Sequence, residues 1–140
     1  MRVLIDTNVA LDWLAHREPF HEKAERVMQT CMDGEWEGEG YMASHSLTDL
    51  FYLLRKDFSA DERKQLLMLL CRYFHILAEP KETILAALDN AAWPDLEDGL
   101  LMQCAAEQHL DYIVTRNEKD FHDSPIPAMS PDRLLGMIRG

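Results

Sequence analysis

The sequence predicts an α/β fold, a three-layer α/β/α sandwich around a central, mainly parallel sheet, and three observations carry that expectation. Short aliphatic runs alternate with longer stretches of helical periodicity, those stretches are long enough for crossovers, and two of the runs end in polar residues. Strands joined this way pair in parallel through right-handed connections, so helices cover both faces of the sheet. At 140 residues and 47% hydrophobic, the chain reads as a single domain over residues 1–140, able to bury roughly two thirds of its unfolded surface.

Residues 2–5 form an aliphatic first strand. Residues 8–16 and 19–32 follow with helical spacing, the latter through Val27, Met28 and Cys31. Residues 33–40 are a loop rich in Gly and Glu, and 41–43 a short second strand. The clearest helical stripe is Leu47, Leu50, Phe51 and Leu54, with Ser46 and Asp49 spaced as a capping box at its start. Ser59 and Glu62 make another, opening a helix over 60–72. Residues 74–77 read as a third strand, 82–92 and 96–109 as helices, 112–115 as the best strand of the second half, and 126–129 as an edge strand. Ser130 and Pro131 give an N-cap with proline at the first helical position, opening the last helix.

Composition narrows the partners. A net charge of −11, from 25 acids against 14 Lys and Arg, provides no broad basic footprint for nucleic acid. A phosphate-bearing substrate would need bound cations or a local basic patch. Cys31, Cys71 and Cys104 lie far apart in helical stretches and are expected to be buried thiols in a reducing compartment. No basic-then-apolar leader and no apolar run of about 18 residues is seen, so the expectation is a soluble, cytoplasmic protein with no membrane partner. The histidines show no metal-ligand spacing, which argues against zinc, and there is no Gly-rich phosphate loop or nucleophile elbow. Trp13, Trp36 and Trp93 read as core or interface.

Four acidic places stand out. Asp6 ends the first strand, where ligand crevices of open α/β sheets lie; its plainer reading is a cap for the next helix, a role Asn8 could serve equally well. Asp49 sits opposite the Leu47 stripe, where a solvated, dipole-pairing acid explains it as well as a functional one. Asp98 leans toward the apolar line of its helix through Leu101 and Ala105, a costly place for a carboxylate without compensation; Asp95 reads as that helix's cap and Glu97 as surface. Finally, Thr115, Arg116, Asn117, Glu118, Lys119 and Asp120 follow another strand end, where, taken alone, ordinary turn formation is the better account of them.

Together these segments carry a resemblance. Val3 to Val9, Asp49 within Ser46 to Leu50, Asp95 to Leu100, and Ile113 to Phe121 resemble, in order and spacing, the motifs of the PIN-domain family, most nearly the small VapC-like ribonuclease toxins of bacteria and archaea. The resemblance spans essentially the whole chain. It implies acids converging at strand ends, binding Mg²⁺ or Mn²⁺ and hydrolysing RNA; hard cations of this kind prefer oxygen ligands. On this resemblance Asp6, Asp49 and Asp98 match the family's metal-binding acids. Asn117 stands where many members carry Asp, and Asp120 is placed to supply the remaining charge. Thr7, Asn8 and Thr115 match supporting positions, and Gly99 stands where Ala is common. Arg116 and Lys119, beside the site, are candidate RNA backbone contacts, while Arg17, Arg55 and Lys56 read mainly as solvated charges. The family also implies an antitoxin partner and a homodimer. Two other readings stay open: a binding module on the same fold with turnover lost through Asn117, and, more distantly, a metal-dependent phosphatase.

Overall fold

The computed structural model describes residues 1–34 and 38–139. Trp36 and part of the expected 33–40 loop lie outside the described residues. Five parallel strands form one sheet in the order β3-β2-β1-β4-β5: β1 Arg2–Ile5, β2 Glu39–Ala43, β3 His75–Leu77, β4 Tyr112–Val114 and β5 Ala128–Met129. Between and after them come α1 Thr7–Leu14, α2 His21–Asp33, α3 Ser44–Leu53, α4 Ala60–Tyr73, α5 Lys81–Asp89, α6 Leu96–Glu107 and α7 Pro131–Arg139. Among the described residues this is the expected sandwich.

Period-two alternation sorts the strand side chains to two cores. Val3 and Ile5 of β1 face α1, α2, α3, α4 and α7 in one, with Met28, Leu50, Leu70 and Leu134. Leu4 faces α6 in the other, with Ile113, Leu101, Met102 and Phe121. Each strand is thus covered on both sides, which parallel sheets require. Gly40 of β2 is needed for its neighbour, since a Cβ there would stand 2.6 Å from two atoms of the Phe74 ring.

Local signals fare unevenly. Ser59 and Glu62 do form the reciprocal capping box of α4, and Asp95 caps α6 by accepting the Asp98 amide at 2.9 Å. The box expected at Ser46 and Asp49 does not form. α3 starts at Ser44, because Glu79, from beyond β3, accepts the His45 amide at 2.6 Å and satisfies that helix end from outside. Cys31 and Cys104 are buried, but Cys71 is exposed: it follows the buried Leu70, and one residue along a helix turns about 100° toward solvent. Trp13 and Trp93 are half-buried against the two cores, as expected.

Candidate active site

The chain leaves the central strand β1 toward β2 on one side, while β4 lies on the other, which makes the β1–β4 junction the switch point where crevices open. Ile5 pairs with Val114 there, so the next residues, Asp6 and Thr115, stand side by side. Thr115 Oγ1 donates to Asp6 Oδ2 at 2.8 Å, a buried bond, and itself accepts the Asn117 amide at 3.0 Å. Asp6 occupies the N-cap position of α1 but makes no capping hydrogen bond. Its carboxylate is held from the neighbouring strand by Thr115, with the first amides of α1, those of Thr7 and Asn8, nearby.

A cavity of about 420 Å³ opens above this junction, lined by Asp6, Thr7, Asn8, Asp49, Asp98 and Asn117, with Glu97, Leu11, Tyr52 and Leu53. α3 contributes Asp49 and is anchored to α1 where Thr7 Oγ1 donates to Ser46 Oγ at 2.7 Å. Asp98 reaches in from the first turn of α6. It also lines an adjoining cavity of about 330 Å³ with Asp95, Lys119 and Asp120. Asp120 therefore approaches Asp98 from that second cavity and does not line the first.

Electrostatics record the crowding. Burial, then the charges of Asp95, Asp6, Asp120 and Glu97, push the Asp98 carboxyl up to about 7. Burial also raises Asp6, opposed by the Thr115 bond, the nearby Thr7 and Asn8 amides and the charge of His45. Glu97, though exposed overall, is raised by partial desolvation of its carboxyl and by the charge and hydrogen bonding of Asp49 beside it. A buried Asn8 oxygen, Oδ1, has no hydrogen-bond partner among the described residues. Carboxylates that repel one another beside an unpaired amide oxygen suit a hard cation, since all the donors are oxygen. Among the described residues, however, no three His, Cys, Asp or Glu side chains already stand close enough to hold one.

A family model for the PIN domain matches residues 2–119. The chain belongs to the PIN-domain family. No curated protein sequence matches it, but solved structures share the PIN fold at low identity. A chain of the toxin–antitoxin complex from Klebsiella pneumoniae has TM-score 0.70 at 18% identity, covering 92% of this chain and 97% of that one. A chain of VapBC2 from Rickettsia felis, bound to a promoter DNA fragment, has TM-score 0.65 at 15% identity, covering 93% and 98%. VapC20 of Mycobacterium tuberculosis, a toxin that cleaves the sarcin–ricin loop, has TM-score 0.62 at 10% identity, covering 79% and 86%.

Within this PIN site the anticipated residues divide into two groups. Asp6, Thr7, Asn8, Asp49, Asp98 and Asn117 share one cavity, Thr115 lies directly beneath it, and Asp95, Lys119 and Asp120 share the next. Arg116 is committed elsewhere: Nε donates to Asp12 Oδ2 at 2.6 Å, and its guanidinium stacks on Phe20 at 4.2 Å. Two participants escaped the sequence reading. Glu97 is exposed as expected but lines the cavity; its place beside Asp98 in the open first turn of a helix was the available signal. His45 influences both Asp6 and Glu97, and its Nδ1 lies 2.7 Å from Glu79, a contact no local pattern announces.

Proposed function

We propose that this PIN domain is a divalent-metal-dependent ribonuclease, an endonuclease hydrolysing RNA phosphodiester bonds, and the toxin of a toxin–antitoxin pair. The observation that carries the reading is the convergence of Asp6, Asp49 and Asp98 from three different elements on one cavity at the switch point. Asp6, Asp98 and Asp49 would hold Mg²⁺ or Mn²⁺, with Asp120 adding charge from the adjoining cavity. When bound, such an ion activates water and neutralises phosphate charge. The chain's own residues prepare the place. Thr115 orients Asp6, Thr7 ties α1 to α3, and the amides of Asn8 and Asn117 offer polar contacts to a phosphate oxygen or a water. Lys119, exposed at the rim of the second cavity, is a contact for the RNA backbone.

The names of the structural neighbours support the biological role. One is a sarcin–ricin-loop-cleaving toxin and another comes from a toxin–antitoxin complex, and an antitoxin is accordingly part of the proposal. So is a homodimer, for which the exposed Leu85, Leu88 and Leu96 offer apolar surface. No helix among the described residues is long and apolar enough to cross a membrane, in keeping with a cytoplasmic enzyme.

The test is RNA cleavage with Mg²⁺ or Mn²⁺, arrested by EDTA. Asp6→Asn and Asp98→Asn are each expected to lose more than about 100-fold in rate, beyond the loss usual for an outer-shell partner. A second reading, a nucleic-acid or protein binding module, is favoured by one observation: the carboxylates do not yet stand in a ligating group of three. Metal binding without cleavage of any RNA would select it.

A further inference from the structure

Beside its acids, the 420 Å³ cavity also has an apolar part to its wall. Tyr52 and Leu53 follow Asp49 by three and four residues on α3, positions that a helix places on one face, and both line the cavity with Asp49. They are 60% and 39% exposed, which is a conspicuous amount of open apolar surface beside carboxylates. The Tyr52 ring is also braced. The Arg55 guanidinium lies 3.8 Å from its centroid, and Arg55 Nη1 donates to the Tyr52 carbonyl at 3.0 Å. That exposure is what remains after Arg55 has covered part of the ring. Arg116 and Arg133 are paired with Asp12 and Glu118, whereas Arg55 pairs with no carboxylate among the described residues.

We propose that Tyr52, braced by Arg55, is a base-stacking subsite of this cavity: single-stranded RNA lies with one nucleobase against Tyr52 and Leu53 and an adjoining backbone phosphate against Arg55. The proposal rests on the nuclease reading and adds to it how substrate is gripped. A nucleotide uses both halves of the arrangement, a π-face for the ring and an anion for the fixed guanidinium. An apolar peptide side chain would use only the wall. The cavity is also of a size that takes one small ligand. In a chain of net charge −11, a stacking plane and one oriented cation supply grip that long-range attraction does not.

The test is fluorescence anisotropy of a labelled single-stranded RNA, with Ca²⁺ in place of Mg²⁺, alongside cleavage kinetics of the same RNA in Mg²⁺ or Mn²⁺. Tyr52→Ala is expected to weaken binding by about tenfold, the range of one lost stacking contact, with the loss appearing in KM more than in kcat. Tyr52→Phe keeps the ring and should bind as the wild type does. Thermal melts of both variants establish that the fold is intact, as expected for an exposed side chain. If Tyr52→Ala binds and cleaves normally an RNA that the wild type cleaves, the subsite is wrong and the nuclease reading stands. If the wild type neither binds nor cleaves RNA, the subsite and the nuclease reading both fall.

Discussion

Two buried carboxylates outside the cavity show how single residues shape it. Asp12, only 1% exposed, is held by both Nε and Nη2 of Arg116, at 2.6 and 3.3 Å. That pair ties α1, which follows Asp6, to the loop carrying Asn117. Arg116→Met would leave a buried charge unpaired, and urea unfolding should show a loss of about 3–5 kcal/mol; adding Asp12→Leu should recover most of it. Glu79, with a side chain 6% exposed, is pushed up by burial, but hydrogen bonds from the Ser44 hydroxyl and from His45 outweigh this and hold its carboxyl below the usual 4.5. An acid lowered on folding stabilises the native state above its unfolded value, and that contribution disappears as pH falls through the lowered one. Glu79→Gln should therefore cost stability at neutral pH and cost progressively less below about pH 4.5, read as melting temperature against pH.

Among the elements, β1 was the most legible, because Val3, Leu4 and Ile5 form an uninterrupted aliphatic run and a strand buried on both faces needs one. The start of α3 was not legible, since its N-terminal amide is satisfied by Glu79, 34 positions away. Asp49 was readable only as one of two alternatives, because its partners Glu97 and Asp98 arrive from α6. Helix α6 itself carries a small flaw. A Cβ at Gly99 would meet Trp93 at 3.5 Å and Ala87 at 3.8 Å, ordinary contacts. Gly99→Ala should thus stabilise the protein by about 0.5–1 kcal/mol through helix propensity alone, seen as a raised melting temperature with the cavity's charges unchanged.

At the scale of the molecule, an acidic chain gathers further acids around one opening, and the repulsion is lodged at Asp98. A cation that binds only the folded state relieves it and stabilises that state by mass action, by about 2.7 kcal/mol at 100 times its dissociation constant. Mg²⁺ or Mn²⁺ should raise the melting temperature, EDTA should reverse the rise, and Asp98→Asn should reduce it. Calorimetry across a metal titration reads all three. The sandwich was legible from alternation and spacing, and the cavity from strand ends; which acids meet was legible only through the family resemblance, because no local pattern records a distance across the sheet.

The bond from Thr115 to Asp6 spans 109 positions of sequence. Asp6 directly follows β1, while the hydroxyl that fixes it directly follows β4, with helices α1 to α6 and strands β2 and β3 between them. Until β4 has docked against β1, the first carboxylate is an ordinary solvated acid, and a growing chain carries no assembled centre. Assembly of the nuclease proposed here thus waits on one long-range docking event, that of β4 on β1.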